Sequence, residues 1–194
     1  MTSAQPEETR CRLLRPVVLI GLMGAGKTSV GLRLAERLRA PFHDSDAAVE
    51  RAANMSVAEI FEAFGEAGFR DGERRVIARL LGEGPQVLAT GGGAWMQPET
   101  RAAIAGRAVS VWLKADLDLL VARTAGRTHR PLLNRDDPRA VLARLVETRY
   151  PVYALADVTV ESVADQSHDA MAARIEAALA AHGRGTGRAV LRER

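Results

Sequence analysis

A chain of 194 residues is long enough for one well-buried α/β domain and too short for two large ones. Its 47% apolar and 26% charged residues are ordinary for a soluble protein, and a net charge of +3 with only 4% aromatic residues suits small anionic molecules while leaving little surface for stacking nucleic-acid bases. One cysteine, Cys11, excludes an internal disulfide or a cysteine metal cluster within a single chain.

Residues 1–15 carry Glu7 and Glu8, lack the apolar segment of a secretory signal, and read as a flexible polar extension. The longest apolar stretch, Pro16 to Met23, is too short to span a bilayer, so a cytoplasmic location is expected. Val17 to Ile20 is a continuous apolar run, as a central parallel strand buried on both faces requires. It delivers Gly21-Leu22-Met23-Gly24-Ala25-Gly26-Lys27-Thr28, which fits G-x-x-x-x-G-K-[ST], and a helical pattern from Lys27 to Arg39 follows. In that strand–loop–helix context the glycines let successive N–H groups turn inward around an anion, and the positive end of the helix adds to the attraction. Lys27 is placed for the β- and γ-phosphates and the Thr28 hydroxyl for Mg²⁺. Only Lys27 and Lys114 are lysines; every other strong base is Arg, so a compact ammonium is used here in a chain that otherwise prefers guanidinium.

A short strand at Phe42 and His43 leads to Asp44-Ser45-Asp46, where an open parallel sheet binds its ligands. In extended backbone both carboxylates face one way: Asp44 toward Mg²⁺ and Asp46 toward a substrate hydroxyl as acceptor and base. The competing reading makes one of them the N-cap of the following helix, Ala47 to Ala52. Ser56 and Glu59 form a capping box for a helix through Phe64, Gly65 and Gly68 break the pattern, and a second helical run carries Phe69, Val76, Ile77, Leu80 and Leu81 toward a core. On it Arg70 and Glu73 lie three apart on one face, which alone is no more than a solvated ion pair.

Gln86 to Thr90 reads as another buried strand, and Gly91-Gly92-Gly93 at its carboxyl end permits close approach of a ligand to the backbone. A helix at Pro98 to Ile104, a strand at Ala108 to Leu113 and a helix at Asp116 to Arg123 follow. The polar, Arg-rich stretch through Arg127, His129, Arg130 and Arg135 reads as a long surface loop of the kind that closes over active sites, bringing Arg charge to a transferring phosphoryl group. Asp137-Pro138 starts a helix through Arg149 that Tyr150-Pro151 ends, Val158 to Val160 is a last strand, and Gln166 to Ala181 is an amphipathic helix. Residues 183–194, rich in Gly and Arg, read as a disordered tail.

In that order the chain resembles the shikimate kinase family from about Val17 to Ser162. The resemblance rests on GLMGAGKT, the Asp44/Asp46 pair, Phe69-Arg70-Asp71-Gly72-Glu73, the glycine triplet, Arg130-Pro131-Leu132-Leu133 and Arg149-Tyr150-Pro151-Val152-Tyr153. It implies a three-layer α/β P-loop kinase fold with a five-stranded parallel sheet in order 2-3-1-4-5, one domain over residues 16–182, a substrate-binding region at about 44–75 and a lid at about 125–137. It also implies phosphorylation of the 3-hydroxyl of shikimate by ATP with Mg²⁺, by a monomer without nucleic-acid or membrane partners. Carried over residue by residue, Gly24, Ala25, Gly26, Lys27, Thr28 and Ser29 hold the nucleotide, with Arg123 stacking on adenine and Arg130 reaching the γ-phosphate. Thr28 and Asp44 serve the metal, Lys27, Asp46 and Arg130 the catalysis. Asp46, Arg70, Gly91, Gly92, Gly93 and Arg149 bind the acceptor, the two arginines on its carboxylate, and Glu73 orients Arg70. The chain departs from the family in having Gly126-Arg127 where an Arg-Asp pair is common, and in Gly72, which weakens its helix by roughly 1 kcal/mol relative to Ala. Other readings are a gluconate- or nucleotide-type kinase, a GTP switch suggested by Lys114-Ala115-Asp116 though Leu113 stands where Asn is needed, and a nucleic-acid role for the Arg-rich tail.

Overall fold

The computed structural model describes residues 11–125 and 137–193. Arg127, His129 and Arg130, and with them nearly all of the expected lid, lie outside the described residues, as do the first ten residues and Arg194.

β2 (Val17–Ile20) is buried at every position, and its run of Val, Val, Leu and Ile follows from having a neighbour on each edge and helices on each face. It pairs in parallel with β4 (Val87–Ala89) on one side and with β5 (Val109–Ala115) on the other. β3 (Phe42–Asp44) completes one edge beyond β4 and β6 (Val158–Ser162) the other beyond β5, giving the order β3-β4-β2-β5-β6, which is the expected 2-3-1-4-5. As an edge strand, β6 alternates buried and exposed residues, with Val158 and Val160 inward. Because all five strands run the same way, the carboxyl ends of β2, β3 and β4 open on one rim of the sheet.

α1 (Lys27–Leu38) buries Val30, Leu34 and Leu38 and packs against α7 (His168–Thr186). It stops at Arg39, which takes the left-handed conformation (φ 49) and returns its N–H to Ala35 and Glu36 before Pro41. α2 (Ser45–Ala53) starts directly at the end of β3, without a loop. α3 (Val57–Leu80) opens on the Ser56–Glu59 capping box and is broken at Gly65, whose φ 67 and ψ −176 are open to glycine alone. Gly68 sits inside the second half without interrupting it. A 3-10 turn at Ala94–Met96, α4 (Pro98–Ile104) and α5 (Leu117–Thr124, capped by Asp116) complete the first part of the chain. No helix among the described residues is long and apolar enough to cross a membrane.

Two expectations are corrected. α6 (Pro138–Tyr153) continues through Pro151 instead of ending there. Proline removes one N–H in the last turn, but that turn is anchored from outside. Tyr153 is fully buried, Trp112 packs edge-on against Tyr150 with ring centres 4.9 Å apart, and the two tyrosine hydroxyls donate to the carbonyls of Ala115 and Gly92. The second correction concerns the termini. α7 runs on to Thr186, Gly187 ends it with φ 65, and β7 (Leu191–Glu193) returns to pair antiparallel with β1 (Cys11–Leu13). Val190 is 1% exposed and Leu13 3%, and the Leu14 amide donates to the Val190 carbonyl at 2.9 Å. A composition dominated by Gly and Arg hides two apolar side chains that complete a core. Val190→Ala should therefore cost about 2 kcal/mol of unfolding free energy; a urea midpoint equal to that of the unaltered protein would return residues 187–193 to the status of a loose tail.

Candidate active site

The phosphate loop bridges β2 and α1. Gly24 (φ 84) and Gly26 (φ 89) both occupy the left-handed region, and Gly26 is the N-cap of α1 with no side chain bonded to the first amides of the helix. Those amides, at Lys27, Thr28 and Ser29, remain available to an anion at the positive end of the helix. Lys27 folds back over the loop, its Nζ donating to the carbonyls of Gly21 at 2.8 Å and Leu22 at 3.1 Å. The end of α5 lies against the loop: a Cβ on Gly24 would come within 2.9 Å of Thr124. Next to Thr124, Arg123 is tied to the carboxyl end of β6, donating to Ser162 Oγ at 2.9 Å and the Val163 carbonyl at 3.4 Å.

Asp44 and Asp46 are brought together by a helix start and not, as expected, by strand alternation. Asp44 is the N-cap of α2 and accepts from the Asp46 amide at 3.1 Å, while its other oxygen accepts from the Thr28 hydroxyl at 3.0 Å. Capping and the link to the phosphate loop are thus served by the two oxygens of one carboxylate. Asp46 stands in the first helical turn. Burial, and after it the Asp44 carboxylate, push its carboxyl above the usual range, against the pull of Lys27 and Arg70.

The glycine triplet follows β4 and is where the remaining side chains meet. A Cβ on Gly91 would stand 2.6 Å from Asp46 Oδ1 and 2.9 Å from Glu73 Oε1; one on Gly92 would stand 3.4 Å from Arg149 Nη1; one on Gly93 would collide with the guanidinium of Arg70. Three successive positions thus face Asp46 from α2, Arg149 from α6 and Arg70 from α3. Arg149 Nη1 donates to the Gly92 carbonyl at 2.9 Å, the Gly91 amide donates to Ser45 Oγ at 3.1 Å, and Trp95 Nε1 donates to the Val152 carbonyl at 3.0 Å, tying the triplet to α2 and α6.

Arg70 and Glu73 are no surface pair. The Glu73 side chain is 1% exposed, and its Oε2 accepts from Arg70 Nη1 at 2.7 Å. Arg70 also lies over the Phe69 ring, 5.0 Å from its centre. The Glu66 carboxylate stands 3.5 Å from Arg70 Nε, an ion-pair distance without hydrogen-bond alignment, so Arg70 Nε and Glu73 Oε1 are both buried without a hydrogen-bond partner. Burial raises the Glu73 carboxyl to about 7, and Arg70 opposes the rise.

Sequence reasoning gave no role to Ser45 or Tyr153. Tyr153 shares the Gly92 carbonyl with Arg149, one helical turn away on the same face of α6. That four-residue spacing is legible in the sequence; the carbonyl it serves is not.

The profile of the family described as shikimate kinase matches residues 23–180. The shikimate kinase of Paramagnetospirillum magneticum is 56% identical over 164 residues, 84% of this chain and 84% of its own length. That of Brucella canis is 54% identical over 166 residues, covering 86% of this chain and 82% of the relative. The solved structure of shikimate kinase from Acinetobacter baumannii in complex with shikimate is similar at a TM-score of 0.79 and 38% identity, over 84% of this chain and 91% of that one. The parallel sheet, the phosphate loop and the two arginines at the glycine triplet beside it are those of a P-loop small-molecule kinase. Within that class, the chain belongs to the shikimate kinase family.

The raised Glu73 carboxyl has a definite sign. The fold favours its neutral form, so its contribution to stability is complete below the ordinary glutamate value of 4.5 and is lost as pH rises through about 7. Glu73→Gln keeps that position neutral at every pH. Between about pH 5 and pH 8 the variant should gain on the unaltered protein by up to about 3 kcal/mol, measured by urea unfolding; parallel stability curves would count against a buried titrating carboxyl.

Proposed function

We propose that the protein transfers the γ-phosphoryl group of ATP to the 3-hydroxyl of shikimate, forming shikimate 3-phosphate. The observation that carries the acceptor half of this reading is the convergence of Arg70 and Arg149 on Gly92 and Gly93, with Arg70 Nε a buried donor lacking an acceptor. Planar guanidinium groups of this kind suit a carboxylate, which supplies two acceptor oxygens. Asp46, beside Gly91, accepts hydroxyl groups of the same molecule, and the backbone of Gly91, Gly92 and Gly93 closes the pocket floor.

On the nucleotide side, the loop from Gly24 to Ser29 supplies amides and the positive end of α1. Lys27 exchanges its two backbone carbonyl acceptors for phosphate oxygens. Arg123, next to the Thr124 that packs on the loop, is the residue proposed for the adenine base, and Arg130 is the lid residue proposed for the γ-phosphate. Thr28 and Asp44 fit Mg²⁺, because their hard oxygen donors already touch next to the phosphate loop and this ion needs few protein ligands. When bound, the ion offsets negative charge on the transferring phosphates.

Catalysis in this reading is positioning and charge neutralisation. Asp46 acts as the base for the attacking hydroxyl. Its raised carboxyl is a better proton acceptor than an exposed aspartate, while Lys27 and Arg70 favour its ionised form. Arg70 is held by Glu73 and Arg149 by Gly92, so both are set before the acceptor arrives.

A coupled assay with Mg-ATP and a panel of shikimate, gluconate and nucleoside monophosphates tests the assignment; turnover of another acceptor and none of shikimate would end it. Arg70→Ala or Arg149→Ala should raise the shikimate KM by roughly 10- to 100-fold with the ATP KM nearly unchanged. An unaltered shikimate KM in both variants would refute the carboxylate clamp. Asp46→Asn should lower kcat by on the order of 100-fold or more, and full activity would remove its role as base.

A further inference from the structure

Arg70 is asked to serve two anions. In the free site Glu73 holds one face of its guanidinium through Oε2, and the other carboxylate oxygen, Oε1, is buried beside Gly91 without any hydrogen-bond donor. The groups around Glu73 are few. Arg70 lies on its own helix, with Glu66 at 3.5 Å from the far side of that guanidinium. Asp46 of α2 approaches the same point above Gly91, and Arg149 and Tyr153 of α6 stand over Gly92. Lys27 and Asp44 act on Asp46 rather than on Glu73. Glu73 therefore has one cation in reach and one carboxylate already against it.

An acceptor carboxylate docking on Arg70 changes this balance. It adds a negative charge a few ångströms from Glu73, divides the donors of Arg70 between two anions and removes water from the pocket. Each effect disfavours an ionised Glu73. The buried, partnerless Oε1 is where a proton gains most, because as a hydroxyl it becomes a donor beside the Asp46 carboxylate.

We propose that binding of the acceptor's carboxylate at Arg70 draws one proton from solvent onto Glu73. This rests on the clamp assigned above and adds a thermodynamic partner to it. The balance is simple: one O–H bond forms on Glu73, the buffer loses the proton, and the added charge of +1 cancels the −1 that the acceptor carboxylate brings into the pocket. Glu73 is thus a positioning residue whose state follows occupancy. Above about pH 7 it holds Arg70 as an anion in the empty site and releases part of that hold as a neutral acid when the substrate arrives. The free carboxyl near 7 places the exchange in the neutral range.

Calorimetric titration of the protein with shikimate, in HEPES and in Tris near pH 8 and in acetate and in piperazine near pH 5, reads the proton directly, because the observed enthalpy then differs with the ionisation enthalpy of the buffer. Near pH 8 uptake should approach one proton per site, and near pH 5 it should vanish, both forms then being protonated. Shikimate affinity should fall by up to about tenfold per pH unit above neutrality, as should 1/KM. Glu73→Gln should bind at pH 8 as tightly as the unaltered protein does at pH 6, with equal heats in both buffers. Equal heats for the unaltered protein at pH 8, or a proton uptake that survives in Glu73→Gln, would overturn the proposal. The first measurement needs no variant, so a folding defect in Glu73→Gln leaves the test intact. Absence of shikimate binding at any pH would instead overturn the acceptor assignment, and this linkage with it.

Discussion

Side chains from three helices reach the rim of the sheet at Gly91–Gly93, and any Cβ at the first or third of these positions would occupy space already taken by Asp46, Glu73 or Arg70. The site depends on that missing bulk. A strand that ends in three glycines leaves room for carboxylates and guanidinium groups to close directly on the backbone, and it presents amides and carbonyls to hold them. Ser45 takes the Gly91 amide, while Arg149 and Tyr153 share the Gly92 carbonyl. The triplet therefore works as a fixed strip against which side chains from three helices are registered. Larger residues would push Arg70 outward into solvent, where an ion pair with Glu73 contributes little.

Electrostatics then decides what the strip can receive. Asp46 and Glu73 stand close together, and both carboxyls are displaced upward, mainly by burial. Arg70 and Arg149 supply the positive charge that lets the pair coexist. Two acids and two guanidinium groups together can balance in charge, and Arg70 Nε is left buried without a hydrogen bond, Glu66 standing 3.5 Å away. The anionic, hydroxylated acceptor proposed above would complete this set, its carboxylate matching the arginines and its hydroxyls matching Asp46. The phosphate loop faces the same rim, so the two halves share an edge of the sheet and are joined through the Thr28–Asp44 hydrogen bond.

Much of this was legible in the residues. The apolar run at Val17–Ile20, the loop that follows it and the capping box at Ser56–Glu59 have local causes, and they stand where sequence places them. What failed depended on contacts distant in the chain. Pro151 marks a helix end by local rules, but the aromatic cluster of Trp112, Tyr150 and Tyr153 carries the helix one turn further. Residues 183–193 are Gly- and Arg-rich, yet α7 runs through Thr186 and Leu191–Glu193 pair with Cys11–Leu13. Arg70 and Glu73 look like a surface pair at helical spacing; burial against the glycine strip, which no local pattern reveals, makes them otherwise. Asp44 and Asp46 were found by position and misassigned in backbone, since α2 begins at Ser45, two residues earlier than the extended reading allows.

The terminal ribbon lies at the other end of the sheet. Leu14 bonds to Val190 just before β2 begins, at the amino ends of the strands, whereas the phosphate loop, Asp44, Asp46 and the glycine triplet stand at or beyond their carboxyl ends. Stability and chemistry are thereby drawn from opposite rims. Leu13 and Val190 close the core where nothing has to move. At the site rim, the fold tolerates buried atoms of Arg70 and Glu73 that lack a hydrogen bond and two acids beside each other. Each of these disfavours the empty pocket by a modest amount. A domain of this size sustains such terms only if its core is complete elsewhere. The apolar residues at the two ends of the chain contribute to that completeness, which is the physical reason for the termini to be joined.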